Sequence, residues 1–170
     1  MENIYQKGRP MEIRYASIGI IHSPFHDLKD MPIQPTSESS APGTVEVWPK
    51  FMPGLIDLEG FSHIILIYCL HHSHSYSLTV VPFLDDHPHG VFATRAPQRP
   101  NPIGLSVVKL ERVEGNILSV DNLDILDGTP LLDIKPYVPE FDSPQNFRLG
   151  WLESPKGRLN QTRSDERFTM

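Results

Sequence analysis

The chain has 170 residues, with 15 basic and 21 acidic side chains and a formal net charge of −6. That length predicts one domain around a single core, and the acidic balance argues against holding nucleic acid by bulk electrostatics, which needs a broad basic face. A single cysteine, Cys69, excludes an intramolecular disulfide, and no apolar run reaches the roughly 18 residues that cross a bilayer. With a polar Met1–Pro10 in place of a signal peptide's basic-then-apolar layout, the expectation is a cytoplasmic protein.

In chain order, Ile13 to His22 is rich in β-branched and aromatic residues and predicts a first strand, with a phase change near Ala16–Ser17 that reads as a bulge. Ser23 to Gly43 is a proline- and serine-rich connection, long for a compact domain and of the kind that serves a site or moves. Thr44 to Trp48 predicts a short strand, and Lys50 to Leu58 a brief helix closed by Gly60. Phe61 to His72 is continuously apolar rather than alternating, which predicts a strand buried on both sides. Thr79–Phe83 and Gly90–Ala93 read as short strands.

The next segment, "FATRAPQRPNPIGLS" from Phe92 to Ser106, places three prolines, two arginines and a glycine between apolar runs. Each proline fixes φ and removes a donor, so no regular helix or central strand can run through them. Arg95 and Arg99 are either surface charges or guanidiniums on a backbone stiff enough to engage an anion with little entropy loss. Leu105–Val113 and Ile117–Asn122 flank Gly115–Asn116, a hairpin signal. Asp127-Gly128-Thr129-Pro130 is a turn by its own chemistry. It serves either as a tight link between strands or as a loop whose backbone groups, Thr hydroxyl and carboxylate meet a small ligand. Leu131 to Tyr137 alternates until Pro136 stops it, and beyond Phe141 only Phe147, Leu149 and Trp151 are equipped to dock on the body. The last residues read as a frayed tail.

Seven or eight short strands without strand–helix alternation predict a mostly β fold, an antiparallel barrel or sandwich. No G-x-G-x-x-G opens a helix, and P-loop and G-x-S-x-G patterns are absent. Cys69 lies in an apolar setting that disfavours its thiolate. The eight histidines include His71, His72 and His74 at one strand end and His87 with His89. Zinc needs three or four converging ligands, and without an H-E-x-x-H or a cysteine pair these histidines read as polar or ligand-contacting groups. No metal is expected.

"GVFATRAPQRPNPIGLSVVKL" (Gly90–Leu110) and "LDILDGTPLLDIKPYVP" (Leu123–Pro139) closely resemble the TsaA-like, or TrmO-like, family. "IGIIHSPF" (Ile18–Phe25) and "LEGFSHIILIYCLH" (Leu58–His71) are similar to its first and central strands. The resemblance implies a single-sheet antiparallel β-barrel with short helices and long loops, occupying residues 1–142, followed by a C-terminal extension over 143–170. It also implies a homodimer, with S-adenosyl-L-methionine as methyl donor and N6 of threonylcarbamoyladenosine beside the tRNA anticodon as acceptor. Carried over position by position, it puts donor-binding residues at Gln34, Pro35, Thr36, Ser37, His71, His72, Arg95, Leu105, Asp127, Gly128, Thr129 and Pro130. Arg99, Asn101 and Lys135 are candidates for the RNA side. His71, His72 and Asp127 are candidate bases for the acceptor proton, a histidine being preferred for its pKa near working pH. A donor-binding regulator without turnover, or a relative acting on a small molecule, is the alternative.

Overall fold

A computed structural model describes residues 11–27 and 41–153. Six antiparallel strands close into a barrel in the order β1-β2-β7-β6-β3-β8, and two short strands, β4 and β5, pair separately beside it. The barrel strands are β1 (Gly19–His22), β2 (Gly43–Val47), β3 (His63–Cys69), β6 (Ile103–Glu114), β7 (Ile117–Asp121) and β8 (Thr129–Pro136); the outer pair is β4 (Thr79–Val80) with β5 (His89–Gly90). The expected single-sheet barrel is therefore present. Among the described residues helix is confined to short pieces: 3-10 turns at Pro49–Leu55, Leu58–Gly60, Val91–Ala93 and Gly150–Glu153, and one α-turn at Pro139–Asp142.

Alternation does the sorting. Along β3, Ile64, Leu66 and Tyr68 point inward, and across the ladder Val108, Ser106 and Gly104 of β6 do the same. Ile21, Val45, Leu118, Val120 and Leu131 complete the interior, and Leu123 and Ile125 of the β7–β8 connection fill one mouth. β6 and β7 turn through Gly115, whose φ of 59° suits glycine, as the Gly-Asn signal predicts.

Several expectations change. Residues 11–18 are not strand: the first strand begins at Gly19, where a Cβ would overlap the Glu46 carbonyl of the paired β2. Met11, Ile13 and Tyr15 pair with no strand among the described residues and lie exposed. Lys50–Leu58 forms two 3-10 turns rather than one helix, interrupted at Asp57 with φ 66°. Gly90–Ala93 is mainly a 3-10 turn. β3 is buried on one face only, because a barrel wall has an inside and an outside. Its outward Ile65, Ile67 and Cys69 are half-buried and pair with Val107, Leu105 and Ile103, so the apolar run supplies an apolar outer wall as well as the core. Among the described residues, no helix is long and apolar enough to cross a membrane.

Candidate functional site

One rim of the barrel collects the ends of β1 (His22) and β3 (Cys69) and the starts of β6 (Ile103) and β8 (Thr129), because antiparallel neighbours alternate direction. Most of the residues singled out from the sequence arrive here. His71 and His72 follow β3, their rings 4.2 Å apart between centroids. Partial burial, and then the neighbouring His72, lower the His71 pKa, so its ring is neutral and able to accept a proton at pH 7.

The proline-rich segment is pinned rather than floppy. The amide of Leu70 donates to Pro102 O (2.8 Å), the hydroxyl of Ser73 donates to Pro97 O (2.8 Å) and Ser77 N donates to Gln98 O (3.3 Å). Arg99 takes part in this, its Nη1 donating to the carbonyls of Thr94 and Ala96 at 3.2 Å each. That commitment makes Arg99 a brace of the loop. Arg95 instead is exposed, and its charge is felt by Tyr68 and Asp124 at the barrel mouth. Asn101 is exposed in the following turn, its carbonyl accepting from Ile103 N at 2.8 Å. Leu105 is 47% exposed and faces outward on the barrel wall just below this loop.

Leading into β8, the strand between β3 and β1, the Asp127 turn is clasped to the end of β1. Its carboxylate accepts from Ser23 N at 3.0 Å and lies 3.6 Å from His22 and 3.4 Å from His26. Asp127 N donates to Phe25 O (2.7 Å) and Gly128 N to Ile21 O (2.9 Å). Gly128 has φ 77°, and the buried Thr129 hydroxyl donates to Leu126 O at 2.7 Å. Thr129 and Pro130 thus begin β8 rather than belonging wholly to a loop.

Lys135 is not at this rim. It lies six positions along β8 from Thr129, roughly 20 Å in an extended strand, opposite Ile65 and 2.8 Å from Asp133. Gln34, Pro35, Thr36 and Ser37 lie outside the described residues. Among the described residues no group of three or more His, Cys, Asp or Glu is arranged to hold a metal ion. Asp85 instead bridges His87 and His89 at 3.0 Å each.

Sequence reasoning missed one constellation at the mouth. Tyr68 and Ser106 point into the barrel, their hydroxyl oxygens 3.0 Å apart, and Ser106 Oγ donates to Asp124 Oδ1 at 2.6 Å. Ser106 has a single hydrogen and spends it on the carboxylate, so Tyr68 is the donor to Ser106. Burial pushes the Asp124 carboxyl up to about 6, against the stabilising Ser106 bond and the pull of Arg95. Burial, with the Asp124 charge, raises the Tyr68 phenol as well. Gly104 makes room for this chain: a Cβ there would overlap the Tyr68 ring. The available signal was a hydroxyl at the inward phase of two strands.

The chemistry of the rim fits S-adenosyl-L-methionine: a cation for its carboxylate, apolar Ile103 and Leu105 for its methylene and adenine faces, and a turn whose partly exposed Asp127 carboxylate can meet polar groups. A closed six-stranded antiparallel barrel with a charged, loop-built mouth sets this protein in a β-barrel class distinct from the doubly wound nucleotide folds. Residues 20–143 match the model of the tRNA-methyltransferase O N-terminal domain, and the chain belongs to that family of S-adenosyl-L-methionine-dependent methyltransferases. It is 58% identical over 159 residues to a probable S-adenosyl-L-methionine-binding protein of Pyrococcus abyssi, covering 94% of this chain and 86% of that one. The mouse tRNA (adenine(37)-N6)-methyltransferase is 38% identical over 139 residues, covering 78% of this chain but 32% of the mouse protein. The crystal structure of TrmO from Pseudomonas aeruginosa superposes with a TM-score of 0.71 at 40% identity, over 83% of this chain and 63% of that one. The chain thus spans most of the archaeal relative and less than two thirds of the other two.

Proposed function

We propose that this protein transfers the methyl group of S-adenosyl-L-methionine to N6 of threonylcarbamoyladenosine at position 37 of tRNA. The observation that carries the reading is that the match to the tRNA-methyltransferase O N-terminal domain spans every described rim residue: His71, His72, Arg95, Leu105 and Asp127–Pro130. The mouse and human relatives are named for adenine 37 of tRNA.

When bound, S-adenosyl-L-methionine supplies a sulfonium-activated methyl group for in-line displacement, so alignment accounts for much of the catalysis. Arg95 pairs with the donor carboxylate, a charge-assisted bond suited to its planar fork. Leu105 provides an apolar wall. The Asp127–Pro130 turn, immobilised by its bonds to β1, offers fixed backbone edges to the adenine or ribose. The neutral His71 ring would take the proton that N6 gives up as it is methylated. Asn101 lies on the acceptor side of the loop. Arg99 supports that side by bracing Thr94 and Ala96. Lys135, at the opposite end of β8, is left to more distant parts of an RNA.

A second copy is the natural cover for the outer wall of Ile65, Ile67, Ile103, Leu105 and Val107, which supports a homodimer with the donor site beside the interface. Tritiated-methyl transfer to bulk tRNA tests the activity, using tRNA with and without the threonylcarbamoyl group. The reading expects incorporation only in the modified tRNA, lost in Arg95→Ala. Donor binding without incorporation into either tRNA would leave a binding protein in place of an enzyme.

A further inference from the structure

Arg99 is a half-buried cation whose hydrogen bonds all leave from one nitrogen. Its Nη1 donates to the carbonyls of Thr94 and Ala96 at 3.2 Å each, which spends both hydrogens of that atom. Among the described residues nothing takes the hydrogens of Nε and Nη2, and no carboxylate pairs with the guanidinium. By contrast Arg14, Lys109, Arg112 and Lys135 each lie 2.7–3.0 Å from an acidic neighbour. Backbone carbonyls fix a guanidinium without neutralising it. A charge drawn partly out of water with no counter-ion carries a cost that an arriving anion relieves.

What Arg99 leaves open is an edge rather than a point. Nε–H and the adjacent Nη2–H lie side by side in the guanidinium plane, the fork that holds a carboxylate or phosphate by two bonds. That fork is set in advance. The chain around it is tied to the segment after β3, with Leu70 N donating to Pro102 O (2.8 Å), Ser73 Oγ to Pro97 O (2.8 Å) and Ser77 N to Gln98 O (3.3 Å). Little rotamer freedom is then left to lose when an anion docks. The same bonds lay the Arg99 loop along the segment that carries His71 and His72, so the anion it receives belongs with the methyl acceptor.

The acceptor named above carries such an anion: the threonyl carboxylate, joined to N6 through the carbamoyl group and only a few bonds from it. A backbone phosphate is the poorer match. The chain has a net charge of −6, and a half-buried guanidinium suits a group that enters the site rather than one that stays on the RNA surface.

We propose that Arg99 is a specificity-determining residue for the acceptor: braced through Nη1 by Thr94 and Ala96, it grips the threonyl carboxylate with its Nε–Nη2 edge and so sets N6 against the methyl donor. The proposal rests on the acceptor reading above. It gives a physical reason for selecting the modified base, because adenosine without the threonylcarbamoyl group leaves the guanidinium half-buried and unpaired.

The test is steady-state methyl transfer from S-adenosyl-L-methionine to tRNA carrying threonylcarbamoyladenosine or its neutral threoninamide analogue. Wild type, Arg99→Ala and Arg99→Lys are compared, with thermal melts and calorimetric titration of the donor alongside. Wild type is expected to prefer the carboxylate acceptor by about thirtyfold in kcat/KM. Arg99→Ala is expected to abolish that preference through loss of activity on the carboxylate acceptor. Arg99→Lys, which keeps the charge without the fork, is expected to retain part of it. Donor affinity is expected to hold in both variants, since Arg95 meets the donor. No preference in wild type, a preference that survives intact in both variants, equal losses on the two acceptors (a loop brace or a phosphate contact), or weakened donor binding overturns the proposal alone. If Arg99→Ala melts too low to assay, the wild-type preference and Arg99→Lys decide. A wild type that methylates neither acceptor overturns it together with the acceptor reading.

Discussion

Gly104→Ala tests the interior of the barrel mouth most directly. The new Cβ would overlap the Tyr68 ring, whose atoms occupy that space. Gly104 is itself buried, and the backbone is held on one side by the β3–β6 ladder, where Gly104 pairs with Tyr68. The ring must therefore move. Overpacking of this kind costs about 1–3 kcal/mol, and withdrawing the phenol from Ser106 adds about 1 kcal/mol. A loss near 3 kcal/mol corresponds to a fall of about 6–12 °C in melting temperature for a domain of this size, measured by calorimetry. The same substitution in a Tyr68→Ala background meets no ring and should cost less than about 1 kcal/mol there. Equal penalties in the two backgrounds, or a Gly104→Ala protein melting with wild type, would show that Gly104 is not kept for Tyr68.

The remaining predictions concern other regions. For Asp124, the folded carboxyl lies above its unfolded value of 3.8, at about 6, so the protonated fold is the favoured one. Its contribution to stability is complete below about pH 4 and disappears as pH rises through about 6, a difference of about 3 kcal/mol; the melting advantage of Asp124→Asn over wild type should open across that interval and then level off. Trp151 stacks on His89 with centroids 4.6 Å apart, and its Nε1 donates to Ala93 O at 2.8 Å; Trp151→Ala should leave the melting of the barrel within about 1 kcal/mol of wild type while limited proteolysis cuts faster after Pro139. On the proposed homodimer, analytical ultracentrifugation should find wild type as a dimer and Leu105→Glu, which places a charge on the apolar outer wall, as a monomer. Asp85→Asn removes the carboxylate that raises the His87 pKa, so the His87 titration followed by NMR should move down toward an ordinary histidine value.

How far the sequence could be read varied with the range of the forces involved. The β6–β7 hairpin was legible because Gly115 and Asn116 set a turn that only their own backbone preferences require. The proline-rich loop was legible for the same local reason, and its long R-P-N-P-I-G and D-G-T-P strings identify the family. By contrast, the Ile13–Tyr15 stretch has strand-like residues but no partner, and a strand exists only where a neighbour accepts its hydrogen bonds. The apolar run from Ile64 to Leu70 fitted a strand buried on both faces; barrel closure gave its two faces different surroundings.

The candidate site divides along the same line. Local sequence placed Arg95 on a stiff loop and Asp127 in a turn, and both are there. That Lys135 sits at the opposite end of β8, that Arg99 braces its own loop, and that Asp127 is clasped by Ser23, His22 and His26 depended on which strands lie side by side. Tyr68, Ser106 and Asp124 are 38 and 18 residues apart along the chain and meet only because β3 and β6 pair in one register and the β7–β8 connection folds over the mouth. By itself, then, the sequence determined the family, the strand-rich class and the local turns, all carried by nearest-neighbour chemistry. The shared rim, the outer apolar wall and the buried hydroxyl–carboxylate chain were decided by barrel closure, which alone brings distant residues within hydrogen-bonding reach.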